Sequence, residues 1–206
     1  PPPAPRPPGR PARPATHPRR SFLRTPKAMI RTSALVTLCL VGALAAPLAA
    51  RSDDAPAVSL KQLSWDEFKA HIVEANKGAK YILVDAWATN CGPCKENFPH
   101  LVEMHAKYGP KGLGVVSLSL DDPEDAKAVA DAEAFLREKK AAFTNVLLKE
   151  EFGVGYDKLD IGAIPAVFLL GPDGEELKRF TMDDPNNQFT YEEVEEDVAA
   201  RLGAAK

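Results

Sequence analysis

Two cysteines, Cys91 and Cys94, are separated by only Gly92 and Pro93. Proline is typical of a first helical turn, and the apolar run 82–84 just before the pair indicates a buried strand. A thiol at a helix N-terminus faces unpaired backbone N–H groups and the positive end of the helix dipole, which favour its thiolate. Because thiolates attack disulfides and ligate metals, the spacing predicts redox chemistry or metal binding.

A two-residue gap allows the cysteines to close a small disulfide ring, with the first sulfur exposed and the second turned inward. We therefore expect Cys91 to be the attacking thiolate and Cys94 the resolving thiol. So short a loop constrains the unfolded chain little, which argues against a purely structural disulfide. The third cysteine, Cys39, lies in a predicted targeting segment, so the disulfide Cys91–Cys94 is the only redox cofactor expected.

Metal and haem sites are disfavoured by spacing. Zinc would need two more ligands, yet His100 and His105 would lie about 140° apart around one helix and could not both turn to one metal. Covalent haem attachment requires a histidine directly after the second cysteine, where this chain has Lys95. We therefore predict no metal.

Charge is unevenly distributed along the 206 residues. The first 50 residues contain eight basic and no acidic residues, which gives them a formal charge of +8. Because the whole chain has a formal charge of −3, residues 51–206 carry −11. An acidic domain without a basic stripe is not expected to bind nucleic acid.

The N-terminal quarter has the composition of disordered and targeting segments. Residues 1–28 hold 10 of the 19 prolines without hydrophobic periodicity, which predicts disorder. The natural start could lie near Met29, or the preceding stretch could belong to targeting, since Arg19–Arg24 resembles a twin-arginine export signal.

Residues 29–50 have the layout of a signal peptide, with an apolar run followed by small residues. An uncleaved anchor formed by residues 34–50 is the alternative, and only then would the protein contact a membrane. Residues 51–57 are predicted to be a linker and residues 58–206 one folded domain. We expect a periplasmic or secreted location.

Strand and helix patterns alternate along that domain. Predicted helices begin at Ser64, at the cysteine pair, at Asp122 and at Thr190. Predicted strands lie near Leu63 and at 81–84, 114–120, 143–148, 164–170 and 175–181, with 151–162 irregular. This order predicts an α/β fold with a central mixed β-sheet flanked by helices on both faces.

Three stretches resemble thioredoxin-fold proteins: Val84–Lys95, Pro99 and Gly162–Pro165. The resemblance spans about residues 58 to 202, and Glu96–Pro99 is most similar to the exported TlpA/ResA-like branch. It implies a thioredoxin fold and a thiol-disulfide oxidoreductase, favouring a reductase of protein disulfides outside the cytoplasm. A disulfide oxidase or isomerase and a non-catalytic interaction module remain alternatives, whereas a peroxiredoxin would carry proline in place of Val84.

The resemblance also implies site roles. The Ile164–Pro165 bond is expected to be cis and to face Cys91, with the backbone of Ile164 pairing with an extended substrate. Substrate contact is expected at Gly92 and Pro93 as well. Trp87 is assigned either to substrate contact or, preferably, to packing beneath the active loop.

Asp85 is expected in the buried strand before the loop, where burial should raise the pKa of its carboxyl group. The resemblance implies that it assists proton transfer from the resolving thiol; the alternative is a solvent-facing acid at a strand end. Two departures from the family pattern, Asn90 beside the first cysteine and Asn97 in the helix, leave substrate choice and thiol pKa open.

The expected partners follow from the family. A reductase in an oxidising compartment needs electrons from elsewhere, which implies a membrane thiol-relay donor. The expected substrate is a protein disulfide, and the usual task of this branch is cytochrome c maturation, with an oxidised haem-binding cysteine pair as client.

Overall fold

The computed structural model describes residues 57–204, which contain a single six-stranded sheet. The strands are β1 (Lys61–Leu63), β2 (Tyr81–Trp87), β3 (Leu113–Ser119), β4 (Thr144–Leu148), β5 (Ala166–Leu170) and β6 (Glu176–Phe180). Their order is β1-β4-β3-β2-β5-β6. The first four strands are parallel, and β5 and β6 are antiparallel to their neighbours.

Five α-helices surround the sheet within the described residues. They are α1 (Trp65–Ala75), α2 (Gly92–Tyr108), α3 (Ala126–Glu138), α4 (Val154–Leu159) and α5 (Tyr191–Ala204). A short 3-10 turn, Gly109–Lys111, follows α2 directly.

Alternation along β2 divides the core between the two faces of the sheet. Leu83 and Trp87 belong to the core cluster that also contains apolar residues of α2, α3 and α5. Ile82 and Val84 instead face α1 and α4. The predicted mixed sheet with helices on both faces is confirmed, and a fully buried β2 runs through its centre.

Local capping explains where most helices begin. The hydroxyl oxygen of Ser64 accepts a hydrogen bond from the backbone N–H of Glu67. In return, the backbone N–H of Ser64 donates to the carboxylate of Glu67, which completes the predicted capping box. Thr190 and Glu193 make the same exchange at the start of α5.

The prediction that Asp122 starts α3 is wrong by one turn. Asp122 accepts a hydrogen bond from the backbone N–H of Glu124, which closes a turn of its own. Asp125 is the true N-cap, because its carboxylate accepts from the backbone N–H groups of Lys127 and Ala128.

The segment 151–162, predicted to be irregular, contains α4. This helix has only six residues, and Gly153 at its N-cap has a positive φ of 92°. Its second residue, Gly155, lies so close to Leu120 that a Cβ there would be 2.8 Å from the leucine side chain. Glycine normally interrupts a helix. Here Gly153 forms the turn before α4, and Gly155 allows α4 to pack closely against Leu120.

Several sequence-based predictions lie outside the described residues. They are the disordered segment 1–28, the signal peptide or anchor 29–50 and all but the last residue of the linker 51–57. Between residues 57 and 204, none of the helices has the length and apolar character needed to cross a bilayer.

Candidate active site

The cysteine pair lies where β2 turns into α2. The strand ends at Trp87, and Cys91 is the N-cap of the helix. Cys91 and Cys94 form a disulfide with their sulfurs 2.00 Å apart. The backbone N–H of Cys94 donates to Cys91 Sγ over 3.2 Å. This N–H belongs to the first turn of the helix, where it has no backbone acceptor. Together with the helix dipole, this contact favours a thiolate at Cys91 once the disulfide opens.

The two cysteines differ in their exposure to solvent. Cys91 is partly exposed, whereas Cys94 is 1% exposed and packs in the core beneath α2. Gly92 and Pro93 are exposed beside them. An incoming disulfide therefore has access to Cys91 and not to Cys94, which agrees with the roles expected from the spacing.

The loop before β5 faces the pair from across the site. The Ile164–Pro165 peptide bond is cis. The carbonyl oxygen of Ile164 lies 3.8 Å from Cys91 Sγ, while Pro165 is buried. β5 runs antiparallel to β2, with Ala166 opposite Ala86, and this pairing places the loop next to the end of β2. The structure thus brings together the cysteines and the Ile-Pro corner, although they are 73 positions apart.

Asp85 is buried in β2, on the same face as Leu83 and Trp87. Its Oδ2 accepts a hydrogen bond from the hydroxyl of Tyr191 over 2.9 Å, and Oδ1 has no partner among the described residues. Burial raises the pKa of Asp85 to about 7, and the Tyr191 hydrogen bond opposes part of that rise. The solvent-facing alternative for Asp85 is therefore wrong.

Substrate contact by Trp87 does not fit its position. Its side chain is fully buried and packs on Phe98 and Phe135, with ring centroids 5.4 and 5.0 Å away. Its indole N–H finds no acceptor among the described residues. The preferred interpretation, a packing residue beneath the loop, agrees with this environment.

Asn90 and Asn97, the two departures from the family pattern, occupy different positions at the site. Asn90 is exposed in the loop directly before Cys91. Asn97 donates through its side-chain amide to the carbonyl of Pro93 and so closes on the first turn of α2. Asn97 therefore supports the local helix geometry beside the pair.

Sequence reasoning missed a tether that holds the active loop. The backbone N–H and the hydroxyl of Thr89 both donate to the carboxylate of Asp121, at 2.9 and 2.6 Å. Ser119, at the end of β3, donates to the other oxygen of Asp121. Asp121 is 7% exposed, so these contacts are shielded from water and fix the loop to the neighbouring strand.

The role of Tyr191 as a hydrogen-bond partner of Asp85 could not be predicted either, because the sequence indicates only that Tyr191 follows a helix cap. It lies 106 positions from Asp85, and no local pattern signals a hydrogen bond across that distance. A buried tyrosine hydroxyl needs a partner, and the nearest signal in the sequence is an aspartate in an otherwise apolar strand.

The disulfide joins two cysteines that are separated by two residues at a helix N-terminus, and it lies opposite a cis X–Pro bond. Together with the strand order β1-β4-β3-β2-β5-β6, these features define a thioredoxin-fold protein with a cysteine pair of the kind used in redox chemistry. The chain belongs to the AhpC/TSA family, whose sequence model matches residues 52–175.

Among curated relatives, the thiol-disulfide oxidoreductase ResA of Oceanobacillus iheyensis is 31% identical over 123 residues, which is 60% of each chain. ResA of Bacillus subtilis is 24% identical over 102 residues, covering 50% of this chain and 53% of that one. The chain thus spans little more than half the length of these curated relatives.

Solved structures give the same fold. A crystal structure from Chlorobium tepidum, assigned as a thiol:disulfide interchange protein DsbE, is 30% identical with a TM-score of 0.50, covering 64% of this chain and 85% of that one. A thiol:disulfide interchange protein from Bacteroides sp. has a TM-score of 0.50 at 20% identity, over 66% of this chain and 80% of that one, and supports the fold alone.

Proposed function

We propose that this protein is a thiol-disulfide oxidoreductase that exchanges disulfides with protein substrates through Cys91 and Cys94. One observation carries the proposal: a partly exposed Cys91, bonded to a buried Cys94 at a helix N-terminus, has its sulfur 3.8 Å from the carbonyl oxygen of Ile164. The matched relatives and the Chlorobium tepidum structure carry names of this activity, which supports the assignment.

The first step of substrate reduction starts from the dithiol form. The Cys91 thiolate attacks one sulfur of the substrate disulfide, a Cys91–substrate disulfide forms, and the substrate S–S bond breaks. The electron pair of that bond leaves on the second substrate sulfur, which takes up a proton from water.

In the second step the Cys94 thiol loses its proton and attacks Cys91 Sγ. The Cys91–Cys94 disulfide forms, the mixed disulfide breaks, and the substrate leaves as a dithiol after taking up a proton. The substrate has gained two electrons and the protein has lost two. Asp85 is the proton acceptor for Cys94 in this scheme, because it is a buried carboxyl group with an oxygen that lacks a partner.

Substrate binding is assigned to the rim around Cys91. Gly92 and Pro93 expose a small apolar surface on one side of the sulfur. The backbone of Ile164, whose carbonyl oxygen lies 3.8 Å from Cys91 Sγ, is proposed to pair with an extended substrate segment, as in strand addition. Trp87 is left out of this surface because it is buried.

The direction and location of the reaction extend this proposal. A Gly-Pro dipeptide between the cysteines matches thioredoxin, at about −270 mV, and not the oxidant DsbA at about −120 mV. We therefore assign a reductase role outside the cytoplasm, sustained by a membrane thiol-relay donor, with oxidised cytochrome c cysteine pairs as clients. The AhpC/TSA match does not favour peroxide reduction here, because Val84, a buried residue of β2, replaces the expected proline.

Turbidimetric reduction of insulin by dithiothreitol tests the activity. The full chain should accelerate the reaction, while Cys91→Ser should be no faster than dithiothreitol alone. Equal rates for the wild type and Cys91→Ser would overturn the enzyme assignment.

Two further measurements address direction and client. A glutathione redox titration of the pair should give a potential near that of thioredoxin for a reductase, whereas a potential near that of DsbA would reverse the assigned direction. Cys94→Ala should stall the exchange at the mixed disulfide, so that purified candidate clients become linked to Cys91. A double Cys91→Ser, Cys94→Ala variant is the matched control and should link to none.

A further inference from the structure

Helix α5 contacts the buried carboxyl group of Asp85 in β2. The hydroxyl of Tyr191, in the first turn of α5, donates to Asp85 Oδ2 over 2.9 Å. Tyr191 is 3% exposed and Asp85 is 1% exposed, so water does not compete for this bond. The remaining oxygen, Oδ1, has no partner within residues 57–204. One oxygen is therefore fixed and the other is free.

Neither of the residues paired with Asp85 in the sheet is charged. Its neighbour on β3 is Ser117, whose hydroxyl is engaged with Asn145, and its neighbour on β5 is Val167. From α2, Cys94 belongs to the same buried cluster as Tyr191.

The titratable groups beyond this shell lie on α2 and α5. His100 of α2 stacks on the ring of Tyr191 with centroids 5.7 Å apart. Glu195, one turn further along α5, is engaged with Lys107 and Tyr108 of α2. Among the described residues, Tyr191 is thus the one hydrogen-bond partner of the Asp85 side chain.

We infer that Tyr191 is a positioning residue for the redox step: by holding one oxygen of Asp85, it keeps the other free to take the proton that Cys94 loses. This inference rests on the proposed thiol-disulfide exchange and deepens it. In the step concerned, the S–H bond of Cys94 breaks, its proton moves to Asp85, and its electron pair forms the bond to Cys91 Sγ. The bond between Cys91 and the substrate breaks, and the substrate sulfur leaves with that electron pair.

Removal of the Tyr191 hydroxyl should change the pH dependence of this step. The hydrogen bond favours the carboxylate, so its loss raises the pKa of Asp85 above the present value of about 7. A hydrogen bond to a charged group corresponds to roughly one to two pKa units. Resolution by Tyr191→Phe should therefore be slower at neutral pH, on the order of ten-fold, and its pH midpoint should rise by about one to two units.

The experiment follows the reduced full chain as it reacts with an aromatic disulfide that releases a coloured thiolate. The first release reports attack by Cys91, and the second reports resolution by Cys94. Rapid mixing across the range from weakly acidic to alkaline pH separates the two phases. Tyr191→Phe is expected to leave the first phase unchanged and to slow the second, with recovery toward the wild-type rate at alkaline pH.

Matched variants separate positioning from simple packing. Tyr108→Phe also removes a tyrosine hydroxyl that donates to a carboxylate, but that carboxylate belongs to Glu195. It should lower stability without moving the pH midpoint. Asp85→Asn should remove the pH-dependent limb of the second phase, and adding Tyr191→Phe to it should cause no further change.

The outcomes distinguish this inference from the proposed function. If no variant affects the second phase except those of the cysteines, or if Tyr191→Phe and Tyr108→Phe give the same pH midpoint, Tyr191 has no positioning role. A wild-type chain that shows neither phase would instead overturn the oxidoreductase assignment itself. If Tyr191→Phe does not fold, Tyr191→Leu is a smaller apolar residue without a hydrogen-bond donor and should give the same rise in the midpoint.

Discussion

Replacement of Asp85 by asparagine should stabilise the oxidised protein at neutral and alkaline pH. Burial raises the pKa of this carboxyl group from 3.8 to about 7. Each pKa unit corresponds to about 1.4 kcal/mol, so the folded state is destabilised by about 4 kcal/mol once Asp85 is fully ionised. Asparagine keeps a carbonyl oxygen that accepts the Tyr191 hydrogen bond and carries no charge to desolvate.

The sign of the pH dependence follows from the protons bound. Between about pH 4 and 7 the folded protein holds a proton on Asp85 that the unfolded chain has released. The free energy of unfolding of the wild type therefore falls, relative to Asp85→Asn, as pH rises through this window. The difference should be close to constant below about pH 4 and should grow toward about 4 kcal/mol above pH 8.

Urea unfolding of both oxidised proteins at a series of pH values measures this difference, since the disulfide keeps the cysteines from titrating. Glu195→Gln is an informative control. Hydrogen bonds from Lys107 and Tyr108 lower the pKa of Glu195, so its contribution should be lost as pH falls. A difference in the free energy of unfolding between Asp85→Asn and the wild type that stays constant from about pH 4 to 8 would contradict a raised pKa at Asp85.

Three further predictions concern access, tethering and packing. In the reduced protein, iodoacetamide should modify Cys91 much faster than the buried Cys94, as measured by peptide mass spectrometry; equal labelling would contradict the assigned roles. Asp121→Ala should remove the tether to Thr89 and lower the free energy of unfolding by about 1–3 kcal/mol, with Asp121→Asn intermediate in urea titrations. Trp87→Ala should cost about 3–5 kcal/mol of stability, whereas Trp87→Phe should cost less and leave the KM for a disulfide substrate unchanged; a raised KM would restore a substrate-contact role.

The elements nearest the chemistry could be predicted because their signals are local. A buried apolar run, the spacing of the two cysteines and Pro93 together indicate a strand, a turn and a helix N-terminus. The Ser64 and Thr190 caps are equally local, since each involves a glutamate three residues later.

The features that were predicted wrongly or not at all depend on two neighbouring residues with the same capping chemistry, or on contacts between residues far apart in the sequence. Asp122 and Asp125 both have the chemistry of an N-cap, and only the backbone path decides which one caps α3. The glycines of α4 signal a break in isolation but serve close packing in the fold. The contacts of Thr89 with Asp121 and of Asp85 with Tyr191 join residues 32 and 106 positions apart, beyond any periodic pattern.

In the proposed exchange, the burial of Cys94 creates a need for an internal proton acceptor. A thiol that is 1% exposed cannot pass its proton directly to bulk water, yet the proposed attack on Cys91 requires the loss of that proton. Two carboxyl groups are buried in the described part of the chain, and Asp121 already accepts hydrogen bonds from Thr89 and Ser119. Asp85 alone of the two retains an unpartnered oxygen, on the face of the sheet that α2 covers. The same burial that destabilises the folded protein at neutral pH raises the pKa of Asp85 to about 7, which suits a proton acceptor in the proposed exchange.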